Sequence, residues 1–134
     1  MSSGKILMID DSETVLSGAR HVLAGADFEV ITATQVVGNA RHLKGCDLVI
    51  IDFHMPGLDG SDVVRSLRGA VEGSDSTCWF YLYSSDEKVA EAYAATGFDG
   101  SFTHKGDYAA LLPQVKAVFR MRKMRSLSSR SPKR

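Results

Sequence analysis

Two cysteines and three prolines are all that the 134 residues carry of these types. Cys46 and Cys78 stand far apart and in no metal-ligand spacing, which excludes a disulfide-stapled scaffold and a thiolate metal cluster. Two reduced, buried thiols in a cytoplasmic protein are the expectation. No apolar run approaches membrane-spanning length, and the opening MSSGK has no apolar core of a secretion signal, so no membrane association is expected. There is no internal repeat and no linker before residue 122. Acidic residues are missing altogether from Tyr108 onward, although the chain holds 16 Asp and Glu against 16 Lys and Arg. The zero net charge therefore conceals an acidic body and a basic end. What is present is an ordinary globular composition, 44% hydrophobic and 24% charged, long enough for one domain with a real core.

The most informative stretch is residues 46–60, CDLVIIDFHMPGLDG. Four apolar residues, Leu48 to Ile51, are followed at once by Asp52. A run so short and rich in β-branched residues reads as a strand buried on both faces, which needs helices on both sides and hence a parallel sheet. In such sheets chemistry gathers beyond the carboxyl ends of the strands, where Asp52 falls.

Other segments repeat the pattern. KILMI (residues 5–9) ends in Asp10-Asp11-Ser12, with Ser12 placed to cap a helix burying Val15, Leu16, Ala19, Val22 and Leu23. FEVIT (28–32) is a more polar strand, nearer an edge, and a weak helix with Val36, Val37, Ala40 and Leu43 follows it. A third helix turns Val63, Val64 and Leu67 inward. CWFYLY (78–83) is an aromatic fourth strand ending in Ser84, before a helix over 86–96 stopped by Gly97. Residues 100–103 form a short fifth strand leading to His104-Lys105-Gly106. Asp107 caps a last helix burying Leu111, Leu112, Val115, Val118 and Phe119. The fold class expected is α/β: a three-layer (βα)5 doubly wound sheet of five parallel strands with flavodoxin-like topology. The domain is expected over 1–121, and residues 122–134, with six basic side chains and no apolar periodicity, as a disordered tail, although residues 120–125 could extend the last helix.

The strand ends then share one edge, bringing together Asp10, Asp11, Asp52, Ser84 and Lys105. Alone, an Asp pair is a helix cap, Ser84 a turn residue, Lys105 a solvated loop residue and Phe102 a core aromatic. Together, three carboxylates repel unless a cation neutralises them, and oxygen ligands completed by water suit Mg²⁺. An Asp beside Mg²⁺, a Lys and a hydroxyl is equipped to accept a phosphoryl group.

In this set, with Asp-x-x-Met-Pro-x-x-Asp-Gly at residues 52–60, the chain resembles the receiver domains of two-component response regulators, of the stand-alone chemotaxis type, over about residues 4–120. The resemblance implies that Asp52 is the phosphoacceptor and that Asp10 and Asp11 hold Mg²⁺ with it, the backbone carbonyl of His54 adding a ligand. It implies that Ser84 follows the phosphoryl group inward, that Lys105 pairs with its oxygens, and that Phe102 is the aromatic switch. A histidine kinase or phosphotransfer protein would donate, and a protein target would bind the face made by the fourth helix, fifth strand and fifth helix. A monomer or weak homodimer is expected, with nucleic acid reached only through the basic tail. Three features depart from the family pattern. Gly106 replaces a proline after the Lys, so the Lys105-Gly106 bond is expected to be trans, in a loop one residue short. Pro113 falls inside the last helix, which is expected to start late or kink. His54 is large at a position that influences how fast water reaches the acyl phosphate.

Other classes fit less well. An aspartate-nucleophile phosphatase needs a second Asp where His54 stands, and a flavin carrier needs a phosphate loop where Asp10-Asp11-Ser12-Glu13 would repel phosphate. A degenerate receiver that docks partners without phosphorylation is the remaining alternative.

Overall fold

The computed structural model describes residues 3–35, 40–52, 54–55, 58–71 and 78–129. Its sheet is built on β1 (Gly4–Ile9) and β3 (Leu48–Ile51), whose apolar runs exclude solvent completely from Ile6 to Ile9 and from Leu48 to Ile51. Burial of this kind is possible only between two layers, and the other strands flank the pair. β2 (Phe28–Ala33) lies outside β1, while β6 (Trp79–Tyr83) and then β7 (Gly100–Phe102) lie outside β3. All pairings are parallel, in the order β2-β1-β3-β6-β7, the doubly wound order expected. The polar strand β2 is at an edge. A small antiparallel pair, β4 (His54–Met55) and β5 (Leu58–Asp59), precedes α2 (Gly60–Val71).

The period of two along each strand divides the core. Ile6, Met8, Ile50, Tyr81 and Tyr83 face α1 (Glu13–Gly25) and α4 (Tyr108–Ser129), meeting Leu16, Leu23, Leu111 and Val115. Leu7, Ile9, Val49, Ile51, Phe80 and Leu82 face the other way, onto Val63, Val64 and Leu67 of α2. Each fully buried Leu or Ile contributes about 1.5–3 kcal/mol, against about 0–1 for an exposed ion pair, so these two layers and not surface charge hold the fold. Cys46 and Cys78 are free thiols in the second layer, and the Cys78 thiol donates to the Cys46 carbonyl at 2.9 Å.

Three helices differ from expectation. Of the second, residues 36–39 lie outside the described residues, and Ala40–Leu43 closes only a 3₁₀ turn that buries Leu43 before Gly45 turns the chain at φ +75°. The fourth is α only over α3 (Glu87–Glu91), capped by Asp86. Beyond it the N–H groups of Ala95, Thr96 and Gly97 bond to carbonyls three residues back, and the Thr96 hydroxyl donates to Tyr93 O at 3.0 Å. A hydroxyl that competes for backbone carbonyls in this way breaks up the α ladder. The last helix does not start late: the Asp107 carboxylate accepts from the Ala110 N–H at 3.2 Å, and the helix continues across Pro113 without a break. Pro113 withholds one N–H, but next to it Gln114 Nε2 donates to Ala110 O at 2.9 Å, so the side chain supplies a bond in that turn.

The helix also runs on through Ser129, taking up the 120–125 extension that the sequence allowed and going past it; residues 130–134 lie outside the described residues. Long-range contacts that no local pattern reveals account for it. Arg122 pairs with Asp47 at 3.3 Å, and the guanidinium groups of Arg122 and Arg125 lie 5.4 and 5.1 Å from the centre of the Trp79 ring. Replacing Arg122 by Ala should lower stability by about 1 kcal/mol in urea unfolding, with Arg122→Lys recovering only part because an ammonium cannot lie flat on the indole. An unchanged midpoint for Arg122→Ala would show that these contacts do not hold the helix.

Candidate functional site

Asp10 and Asp52 are adjacent because the ladder between β1 and β3 continues past the strand ends. Ile9 is opposite Ile51, and the Asp52 N–H donates to Ile9 O at 3.0 Å, while the Asp10 N–H donates to Ala33 O at 3.1 Å. Both carboxylates are buried, and Asp11 is exposed beside them. Oxygens from the three carboxylates lie within 4.8 Å of one another. Asp10 Oδ1 accepts from the Ser12 N–H at 2.9 Å, which begins the turn into α1, and Ser12 in turn caps that helix through the Val15 N–H at 3.2 Å.

Lys105 arrives from the loop after β7. Its ammonium stands 2.8 Å from Asp10 Oδ2 and 3.2 Å from Asp52 Oδ1, with the side chain only 13% exposed. Burial pushes its pKa down, but Asp10 and Asp52 outweigh burial and hold it above the ordinary 10.5. Asp10 Oδ2 is buried, and the Lys105 ammonium 2.8 Å away is its counter-charge.

The donor set fits a hard divalent cation. Three carboxylates against one ammonium leave two negative charges uncompensated among these four groups, and Asp10 Oδ2 is a buried oxygen with coordinating capacity to spare. All donors are oxygens, the chemistry of Mg²⁺ rather than of a soft metal.

The remaining predicted residues surround this group. Ser84 is buried at the end of β6, and its hydroxyl accepts from the Asp86 N–H at 3.1 Å. Ser84, Phe102, His104 and Lys105 line one open hollow, with Glu87 and Glu91 of α3 on its rim. Phe102 is buried, its ring stacked on Tyr81 at 4.7 Å and edge-on to Tyr83 at 6.5 Å. His54 opens β4 opposite Asp59; Phe53, Pro56 and Gly57 lie outside the described residues. No cis peptide bond occurs among the described residues, as expected for Lys105-Gly106, and Gly106 takes φ +97°.

Comparison with known proteins agrees with this geometry. Residues 6–116 match the family model for the response regulator receiver domain. The chain belongs to the receiver domain family. It is 34% identical over 133 residues to the transcriptional regulatory protein PrrA of Mycobacterium leprae, covering 96% of this chain and 55% of PrrA, and 29% identical over 120 residues to VanRB of Enterococcus faecalis. It thus spans about half the length of the curated relatives it matches. Among solved structures it resembles the chemotaxis regulator CheY4 of Vibrio cholerae (TM-score 0.70, 21% identity, 86% of this chain and 98% of that one). It also resembles TrrA of Thermotoga maritima, solved in complex with Mg²⁺-BeF (TM-score 0.69, 22% identity, 88% and 99%). These likenesses establish the fold.

Two supports of the receiver site were not foreseen from the sequence. Gln114 grips Thr103 in both directions, accepting from its N–H at 2.9 Å and donating to its carbonyl at 3.1 Å, which ties the start of the Lys105 loop to α4. The Tyr83 hydroxyl accepts from the Gly106 N–H at 3.1 Å. Neither has a local signature: a Gln beside a helical Pro and a Tyr inside an apolar strand read as a surface residue and a core residue.

Proposed function

We propose that this receiver domain is a phosphorylation-controlled switch of a two-component system, with Asp52 as phosphoacceptor. The observation that carries the reading is the Lys105 ammonium bridging Asp10 and Asp52 at 2.8 and 3.2 Å, at the carboxyl edge where β1, β3 and β7 end. A buried Asp oxygen attacks the phosphorus of the donor; the new O–P bond forms as the bond from phosphorus to the donor breaks, and the donor leaves with that electron pair. Lys105 would supply a counter-charge to the incoming oxygens, and Ser84 would donate to one of them its O–H, which the bond it accepts from the Asp86 N–H leaves free. Asp10, Asp11 and Asp52, with the His54 carbonyl, would hold Mg²⁺, which supplies the remaining neutralisation of the phosphoryl charge. The Mg²⁺-BeF complex of TrrA, a protein of the same fold, supports that assignment.

A histidine kinase or phosphotransfer protein is the donor this family implies. The hollow beside Lys105, reaching Phe102 and the α3 rim, supports a target-binding surface on the α3–β7–α4 side. A regulatory phosphoacceptor acting in the cytoplasm, rather than an enzyme with a turnover of its own, fits this arrangement. The test is incubation with acetyl phosphate, with and without Mg²⁺, followed by intact mass. One phosphoryl adduct that requires the metal is the expected result; no adduct, or one indifferent to metal, would overturn the reading.

A further inference from the structure

The loop that carries Lys105 is an unfavourable piece of backbone. His104 and Gly106, the residues on either side of the lysine, both lie in the left-handed region, at φ +60° and +97°. For a residue with a Cβ that conformation costs on the order of 1 kcal/mol, so His104 stays there only if its surroundings hold it. Gly106 also carries an N–H, which the proline expected at this position would not, and that donor needs a partner.

We propose that Tyr83 is a positioning residue for Lys105, fixing the ammonium over the carboxylates by holding the loop behind it. The hydroxyl accepts the Gly106 N–H at 3.1 Å, and the ring of the same residue lies under the Lys105 ammonium, 5.6 Å from Nζ to the ring centre. One side chain therefore touches the loop on both sides of the Lys105 Cα, through the next amide and through the lysine's own charged end. Tyr83 is suited to this because it cannot move. It is wholly buried, fixed in β6 opposite Phe102 and packed edge-on against that ring. Burial holds its phenol above the ordinary pKa of 10.0, so near neutral pH it is an uncharged acceptor. The other end of the loop is fixed separately, by Gln114 on Thr103 and by the Asp107 N–H on His104 O at 2.9 Å. Among the described residues, the Tyr83 contact is the one that reaches past Lys105 from within the sheet.

This inference rests on the proposed role of Lys105 in phosphoryl transfer, and two readouts separate the two ideas. Tyr83→Phe keeps the ring and removes the hydroxyl. The Gly106 amide should then exchange with solvent about tenfold faster or more, whether or not the chain accepts phosphate. The initial rate of labelling by acetyl phosphate at saturating Mg²⁺ should fall about five- to tenfold, the effect of one lost hydrogen bond on a preorganised charge. Mg²⁺ affinity by calorimetry should stay within about twofold, because the carboxylates are untouched. Tyr81→Phe is the control: it deletes a phenol hydroxyl from the same strand, away from the loop, and should label like the wild type. An unchanged Gly106 exchange rate in Tyr83→Phe overturns the proposal, as does an equal loss of labelling in both variants. If the wild type takes up no phosphate while Gly106 exchange still depends on Tyr83, the clamp stands and the phosphoacceptor reading fails.

Discussion

Asp52→Asn should take up no phosphoryl group from acetyl phosphate and Mg²⁺ under conditions that label the wild-type chain, and it should remain folded. The two side chains are nearly isosteric, and what fixes residue 52 is mainly backbone: its N–H on Ile9 O at 3.0 Å at the end of a fully buried strand. The Asn Oδ1 can still accept from Lys105 where Asp52 Oδ1 does so at 3.2 Å. The variant loses the carboxylate as nucleophile and one of three negative charges that favour a divalent cation. Thermal unfolding within a few degrees of wild type, together with an unshifted mass, is the expected pair of results. An adduct in this variant would place the acceptor elsewhere and remove Asp52 from the centre of the site.

The acidic edge was legible in the sequence because each part of it has a local signature. Runs such as those of β1 and β3 are too short for helices and too apolar for exposed strands, and each ends on a carboxylate. Parallel sheets align such ends, so topology alone brings Asp10 and Asp52 together. Ser84 and Lys105 followed by the same logic. The helices were less legible. α3 stops at Glu91 and gives way to a run of tight turns, which Gly97 ends. Among the described residues, the turn Ala40–Leu43 buries Leu43.

The C-terminal helix shows what a one-dimensional reading cannot weigh. Residues 122–129 have the composition of a solvated tail, yet Arg122 and Arg125 meet Trp79 and Asp47, far away in sequence. Trp79, in an aromatic and otherwise buried strand, is half-buried: it packs against the core and gives its face to two guanidinium groups. The Lys105 loop presents the same difficulty. Gly106 stood out as a departure, but nothing in the order of residues says that a tyrosine in β6 meets its amide.

Lys105→Ala should destabilise the metal-free domain by about 3–5 kcal/mol at neutral pH, a larger effect than any surface substitution, because it removes the counter-ion of two buried carboxylates. The Asp10 side chain is 1% exposed and that of Asp52 8%, so water cannot readily replace the ammonium. The sign of the pH dependence follows from Lys105 itself. Its folded pKa lies above its ordinary 10.5, so its contribution is fully present below that pH and is lost as pH rises through the folded value. The stability gap between wild type and variant should therefore be steady through neutral pH and close above 10.5. Mg²⁺ at about a hundred times its Kd adds roughly 2.7 kcal/mol to either protein, and it should narrow the gap to the extent that it binds the variant, which lacks the competing ammonium, more tightly. Urea unfolding of both proteins, with and without Mg²⁺, measures all of this. If the variant were as stable as the wild type in EDTA at pH 7, the ammonium would not be neutralising the carboxylates. If Mg²⁺ failed to stabilise the variant, the three aspartates would not form a cation site.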